Sequence, residues 1–257
     1  MGEAKANLSR IIRARDPVCI YCGQAPSVDA DHAPPKVIFT GKDRPKGLEF
    51  GICKACHEPT RQIDLIAASY GRMMPPPKTE AERADIRKHA QGVVNNYPEI
   101  AEVFAGPSRV NNQGIHITEV TGDNGTRLHN AMNAFAGRLG IALYRERAGK
   151  MVSPEHYVHA HYFTSWEIAM DAIPPEVFVP LKNPRTLRAG AKEKSSEFLY
   201  DDYYDPEVDY YACFALVRES FAAWVVISKD LVAMPDHARN GAVYRQGFLR
   251  GLDWRRV

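Results

Sequence analysis

Apolar residues recur at helical spacing in the first quarter of the chain: Ile63, Ile66, Ala67 and Tyr70 stand at i, i+3, i+4 and i+7 and form one stripe. This predicts a helix from about Glu58. Pro59 falls in its first turn, where a missing amide proton costs nothing, and Gly71 ends it. "MMPPPK" from Met73 reads as a stiff extended connector, and Thr79 with Glu82 forms a capping box that opens a second helix running to about Gln91. A third stripe, Leu128, Met132, Phe135, Leu139 and Leu143, predicts a helix from Thr126, preceded by a turn at "TGDNG" and closed by Gly149.

Elsewhere the pattern shortens to that of strands. "SVDADHA" from Ser27 and "LEFGI" from Leu48 are expected to be short strands, and "IHITEV" from Ile115 another. "YVHAHYF" from Tyr157, "EVFVPL" from Glu176, "YYACFALVR" from Tyr210 and "FAAWVVISK" from Phe221 follow, the last two as a hairpin. The expected class is α+β. Residues 1–72 form a first unit, 73–110 a helical linker, and 111–257 an α+β domain with an antiparallel sheet, the boundary lying near the loop "GPSRVNNQG" from Gly106.

Composition adds exclusions. At 257 residues and 45% hydrophobic, the chain has the makings of a folded protein. No run approaches the roughly 18 apolar residues of a membrane helix, and "MGEAKANLSRIIRARD" lacks the apolar centre of a secretory signal, so a cytoplasmic protein without a membrane partner is expected. Ala6 stands where a myristoylation motif has Ser or Thr. A net charge of +2 excludes a strongly basic binder, yet local patches set phosphate affinity. Five arginines against one aspartate lie in the last 19 residues, and five acids with no base in "FLYDDYYDPEVDYY" from Phe198; both read as solvated faces.

Cys19 and Cys22, then thirty residues, then Cys53 and Cys56 make two C-x2-C pairs. Four thiolates close a tetrahedral zinc site with no position left for water, so the zinc is expected to be structural. A redox dithiol would leave the second pair unexplained. A short segment with few large apolar side chains also needs such a staple. The fifth cysteine, Cys213, sits in an apolar run and is expected in the core; His159 and His161 share one strand face with no third ligand nearby and are read as structural.

Between the thiol pairs lies "DADHAPPK", with Asp31 and His32 adjacent, and His57 follows the last of the paired cysteines directly. A carboxylate that can hold a divalent cation beside an imidazole that can deprotonate water is the minimal kit for phosphodiester hydrolysis. The order C-x2-C, DH with a proline two residues on, then C-x2-C followed by His resembles the zinc-containing branch of the HNH endonucleases, the ββα-metal nucleases that include phage recombination endonuclease VII. "DHAPPKVIF" is similar to a bacterial DH-x-PPK subgroup, and "AGRLGIALYRERAGKMV" from Ala136 to a segment that follows the finger there.

The resemblance implies a zinc-clamped ββα-metal finger over residues 1–72. It makes Asp31 and His57 ligands of a catalytic divalent ion, His32 the general base, and Cys19, Cys22, Cys53 and Cys56 the structural zinc ligands. "GLEFGIC" carries no central Asn or His of the family pattern, and His57 replaces the commoner Asn, which shifts the expected ion from magnesium towards manganese, nickel or zinc. Arg61, one turn along, is a candidate phosphate contact. The function expected is metal-dependent cleavage of nucleic acid, with DNA ranked ahead of RNA and both left open, and with a homodimer or two encounters needed to cut both strands. The alternatives are a catalytically inactive zinc-finger module that binds nucleic acid or protein, and a scaffold whose C-terminal part does the work.

Overall fold

A computed structural model describes the chain apart from residues 1, 43, 45, 74–76, 107, 111–115, 119, 121, 179–184, 187, 190–191, 194–196, 232–240 and 256–257. Met74, Pro75 and Pro76 of the predicted connector, Ile115, the end of "EVFVPL", Arg239 and Arg256 therefore lie outside the described residues.

The chain opens with α1 (Gly2–Arg15), followed by β1 (Asp29–His32), β2 (Glu49–Ile52) and α2 (Lys54–Met73). Next come α3 (Glu80–Asn96), α4 (Pro98–Val103), the short hairpin β3 (Ser108–Val110) and β4 (His116–Thr118), and α5 (Gly122–Ala148). The last third holds β5 (Tyr157–Thr164), α6 (Ser165–Ala169), the two-residue strands β6 (Arg185–Thr186), β7 (Arg188–Ala189) and β8 (Lys192–Glu193), then β9 (Phe198–Asp205), β10 (Tyr210–Val217), β11 (Phe221–Ser228) and β12 (Ala242–Arg245). The architecture is α+β, built on a six-stranded antiparallel sheet in the order β12-β5-β11-β10-β9-β6.

Side-chain alternation in the sheet explains its two cores. Phe221, Ala223, Val225 and Ile227 of β11 face the main cluster, while Ala222, Trp224 and Val226 face a second one with Phe163, Ile173 and Val177. Covered on both faces, β11 reads as a continuous apolar run. α5 lies between this sheet and α2, and every residue from Ala131 to Tyr144 is buried. Its small residues allow that: a Cβ on Gly140 would come within 2.4 Å of the Val225 side chain, so the helix approaches β11 closely. The main cluster joins Ile20, Phe50 and Ile63 of the first seventy-two residues to Phe135, Val158 and Val225.

Several elements differ from the sequence pattern. α2 starts at Lys54, before Glu58, because Cys56 is drawn into its first turn by the thiol cluster. α5 starts at Gly122, absorbing "DNG" from the predicted turn, and it is buried all round because it has the sheet on one side and α2 on the other. At "EVFVPL" a short 3-10 turn, Pro175–Val177, stands in place of a strand start. "FLYDDYYD", read as a solvated acidic face, is β9, paired along its whole length with β10; α1 carried no strong apolar stripe and was not predicted. The capping box at Thr79 and Glu82 and the hairpin of β10 and β11 form as expected, and Cys213 is in the core.

Candidate functional site

Two different turns bring the thiols together. Cys19 and Cys22 flank a tight loop in which the Cys19 amide donates to Ala25 O (2.9 Å) and the Gly23 amide to Cys19 O (2.8 Å). Cys53 follows the end of β2 and Cys56 lies in the first turn of α2, where the His57 amide donates to Cys53 O (3.0 Å). All four are buried, none is in a disulfide, and their sulfurs lie within 4.8 Å of one another. The Cys22 and Cys53 sulfurs are 3.9 Å apart. A tetrahedron with Zn–S bonds of ~2.3 Å has S–S edges of about 3.8 Å. Hydrogen bonding from the Cys56 thiol lowers the pKa of Cys19 and favours its thiolate, the form that ligates a metal. The four cysteines are placed to bind a metal ion, and an all-sulfur donor set suits zinc.

β1 and β2 pair antiparallel with Asp31 opposite Phe50 and His32 opposite Glu49, and α2 follows after a single residue. Successive strand residues point to opposite faces, and the two candidates do so. Asp31 points inward and is 4% exposed; His32 is half-buried.

Asp31 meets a guanidinium. Arg138, on α5 and 2% exposed, donates from Nε to Asp31 Oδ2 (3.0 Å) and from Nη2 to Asp31 Oδ1 (2.5 Å), a bidentate pair. Nη2 also donates to the His32 carbonyl (3.1 Å), and Nη1 to Asp64 Oδ1 on α2. The Tyr21 hydroxyl, between Cys19 and Cys22 in sequence, donates to Asp31 Oδ2. Burial opposes Arg138's charge, but the two carboxylates outweigh it and raise its pKa above the ordinary value.

His32 stands among charges of both signs, Arg44 and Lys36 against Asp31 and Glu49. Burial, with Arg44 and Lys36 nearby, lowers its imidazole to about 4, which leaves the ring neutral at physiological pH. Arg44 itself is a brace: Nε donates to Pro34 O (2.7 Å), Nη1 to Glu49 Oε1 (3.0 Å) and Nη2 to Gly47 O (2.5 Å), closing the loop between β1 and β2. Lys36 is exposed. His57 is half-buried, and Arg61 is exposed on the same helix.

The second cation implied by the resemblance can be tested against these residues. Asp31, His32 and His57 do not bring three ligand atoms within 4.8 Å of one another; among the described residues only the four cysteines form such a group. Both Asp31 oxygens face Arg138, and a dication there would be placed against a guanidinium. Asp31 meets α2 through Arg138 at Asp64, seven residues and about 10 Å of helix rise beyond His57. As arranged, Asp31 and His57 do not fit a shared divalent ion.

Asp64, Tyr21 and Arg138 were not identified as site residues from the sequence. Arg138 did carry a signal: it is the one charge in "AFAGRLGIALY", inside an otherwise apolar helix. No family model, curated protein or solved structure matches the chain.

Proposed function

We propose that the chain is an endonuclease of the HNH type that hydrolyses phosphodiester bonds in nucleic acid, DNA in the first place. The observation that carries this reading is the position of His32: a neutral, half-buried imidazole at the end of a thiol-clamped hairpin, with Lys36 and Arg44 close enough to depress its pKa. A ring in that state can take the proton of an attacking water. The four cysteines hold the hairpin to the start of α2, and Arg44 fixes the loop after His32, so the base sits on a braced support.

The test is cleavage of plasmid and single-stranded DNA by the zinc-loaded full chain, with magnesium, manganese or neither. Wild type should cut, and His32→Ala should lose roughly 100-fold or more while keeping its zinc. Equal cutting by the variant would remove His32 from this role.

A second reading is a zinc-clamped module that binds nucleic acid without cutting it. The pairing of Asp31 with Arg138 favours it, since the acid of the DH motif is committed inside the protein. Retention of DNA in a gel-shift assay, without cleavage under any of these conditions, would select this reading.

A further inference from the structure

We infer that Arg138 takes the place of a divalent cation at Asp31, so that this acid has a guanidinium as its permanent counter-charge and holds no second metal ion. Four of the five guanidinium N–H groups are accounted for, two to Asp31, one to Asp64 and one to the His32 carbonyl. The pair is buried on both sides, 2% and 4% exposed at the side chains. A metal ion could reach Asp31 only by expelling Arg138 from the middle of α5, where each neighbour from Ala131 to Tyr144 is buried and no solvent awaits the charge.

The arrangement also supplies what a cation would. Arg138 draws together β1, through Asp31 and the His32 carbonyl, and α2, through Asp64, with the Tyr21 hydroxyl completing the coordination of Asp31. These are the two elements that a metal shared by Asp31 and His57 would have bridged. An arginine differs from a metal in being covalently fixed to α5, so the bridge extends to the helix that backs the sheet. The inference concerns occupancy of the acid and holds whether or not the chain cuts DNA.

The experiment uses manganese(II) alone as probe, titrated into the zinc-loaded full chain, with the EPR signal of the free aquo ion counting what is bound. Manganese competes poorly with zinc for four thiolates, so the cluster stays out of the count. Wild type and Asp31→Asn are expected to bind the same number of ions. An additional ion held by wild type and lost in Asp31→Asn overturns the inference. Because the variant could fail to fold, the wild type is also read alone, with its histidine rings labelled with nitrogen-15. An unbroadened His32 signal at one equivalent of manganese supports the inference, and selective broadening of that signal overturns it. Absence of DNA cleavage in the wild type would defeat the nuclease reading and leave both of these readouts as they are.

Discussion

The guanidinium of Arg138 lies across both carboxylate oxygens of Asp31, a residue 107 positions earlier in the chain. The contact ties the thiol-clamped hairpin to the central helix, and it does so inside the protein, where charges are costly unless paired.

Removing one partner of that pair should therefore cost more than removing both. Arg138→Met leaves Asp31 and Asp64 without their cation, and urea unfolding should show a loss of about 3–5 kcal/mol. In the double variant Arg138→Met with Asp31→Asn, part of that loss should return, because one stranded charge has gone. A strictly additive result in this cycle would mean that the two side chains do not act on each other.

The thiol cluster makes a prediction about composition. Metal analysis of the purified chain should find one tightly held zinc, and Cys22→Ser should lose most of it with a lower Tm. Chelation should loosen the hairpin first, read as faster proteolysis between Cys19 and Cys56, since the cysteines join two turns with 30 residues between them. A chain that keeps its Tm after complete zinc removal would show that the apolar contacts of Ile20 and Phe50 are sufficient alone.

Gly51, in the centre of β2, packs against the end of α1. A Cβ there would lie 2.4 Å from Ser27 Oγ and 2.6 Å from the Asp16 carbonyl oxygen, both backed by buried structure. Asp16 cannot give way easily, for its carboxylate accepts from Arg145 Nη2 (2.8 Å) and from the Gly51 amide (3.2 Å). Gly51→Ala should destabilise the fold by about 1–3 kcal/mol in urea. Unchanged stability would show that the hairpin can shift away from α1.

The contrast between these sites and the sequence pattern has a physical cause. Local periodicity was enough to place α3, the hairpin of β10 and β11, and the burial of Cys213, because each depends on neighbours close in sequence. Cysteine spacing revealed the cluster because thiols two residues apart have few other uses. The partners of Asp31 were hidden, since nothing local relates position 31 to position 138, and the DH dipeptide looks the same whether its acid faces a metal or an arginine. The isolated charge at Arg138 in an apolar helix indicated a buried partner without saying which one. β9 was hidden for another reason: its acids are half-buried rather than solvated, and Asp202 is 9% exposed.

The turn after β9 provides a pH test. Asp209 sits in the left-handed region (φ +53°), a conformation that an aspartate tolerates better than most residues. Its Oδ1 accepts from the hydroxyls of Tyr144 (2.8 Å) and Tyr204 (3.2 Å), and its Oδ2 lies 2.9 Å from Lys150 Nζ and 3.2 Å from His156 Nε2. Burial works to raise the pKa of this carboxyl, but the Lys150 ammonium and the Tyr144 hydroxyl outweigh it and hold the group below the ordinary aspartate value. A depressed carboxylate contributes stability above its unfolded pKa of about 3.9, and that contribution is lost as pH falls through the lower folded value. Asp209→Asn keeps the size and the tolerance of positive φ while removing the charge. At pH 7 the variant should be less stable than wild type by about 1–3 kcal/mol. The gap between the two urea midpoints should narrow as pH is lowered from about 5 towards 3, because wild type then acquires the proton that the variant's amide imitates. A gap that stays constant across this range would show that Asp209 contributes through its shape in the turn and not through its charge.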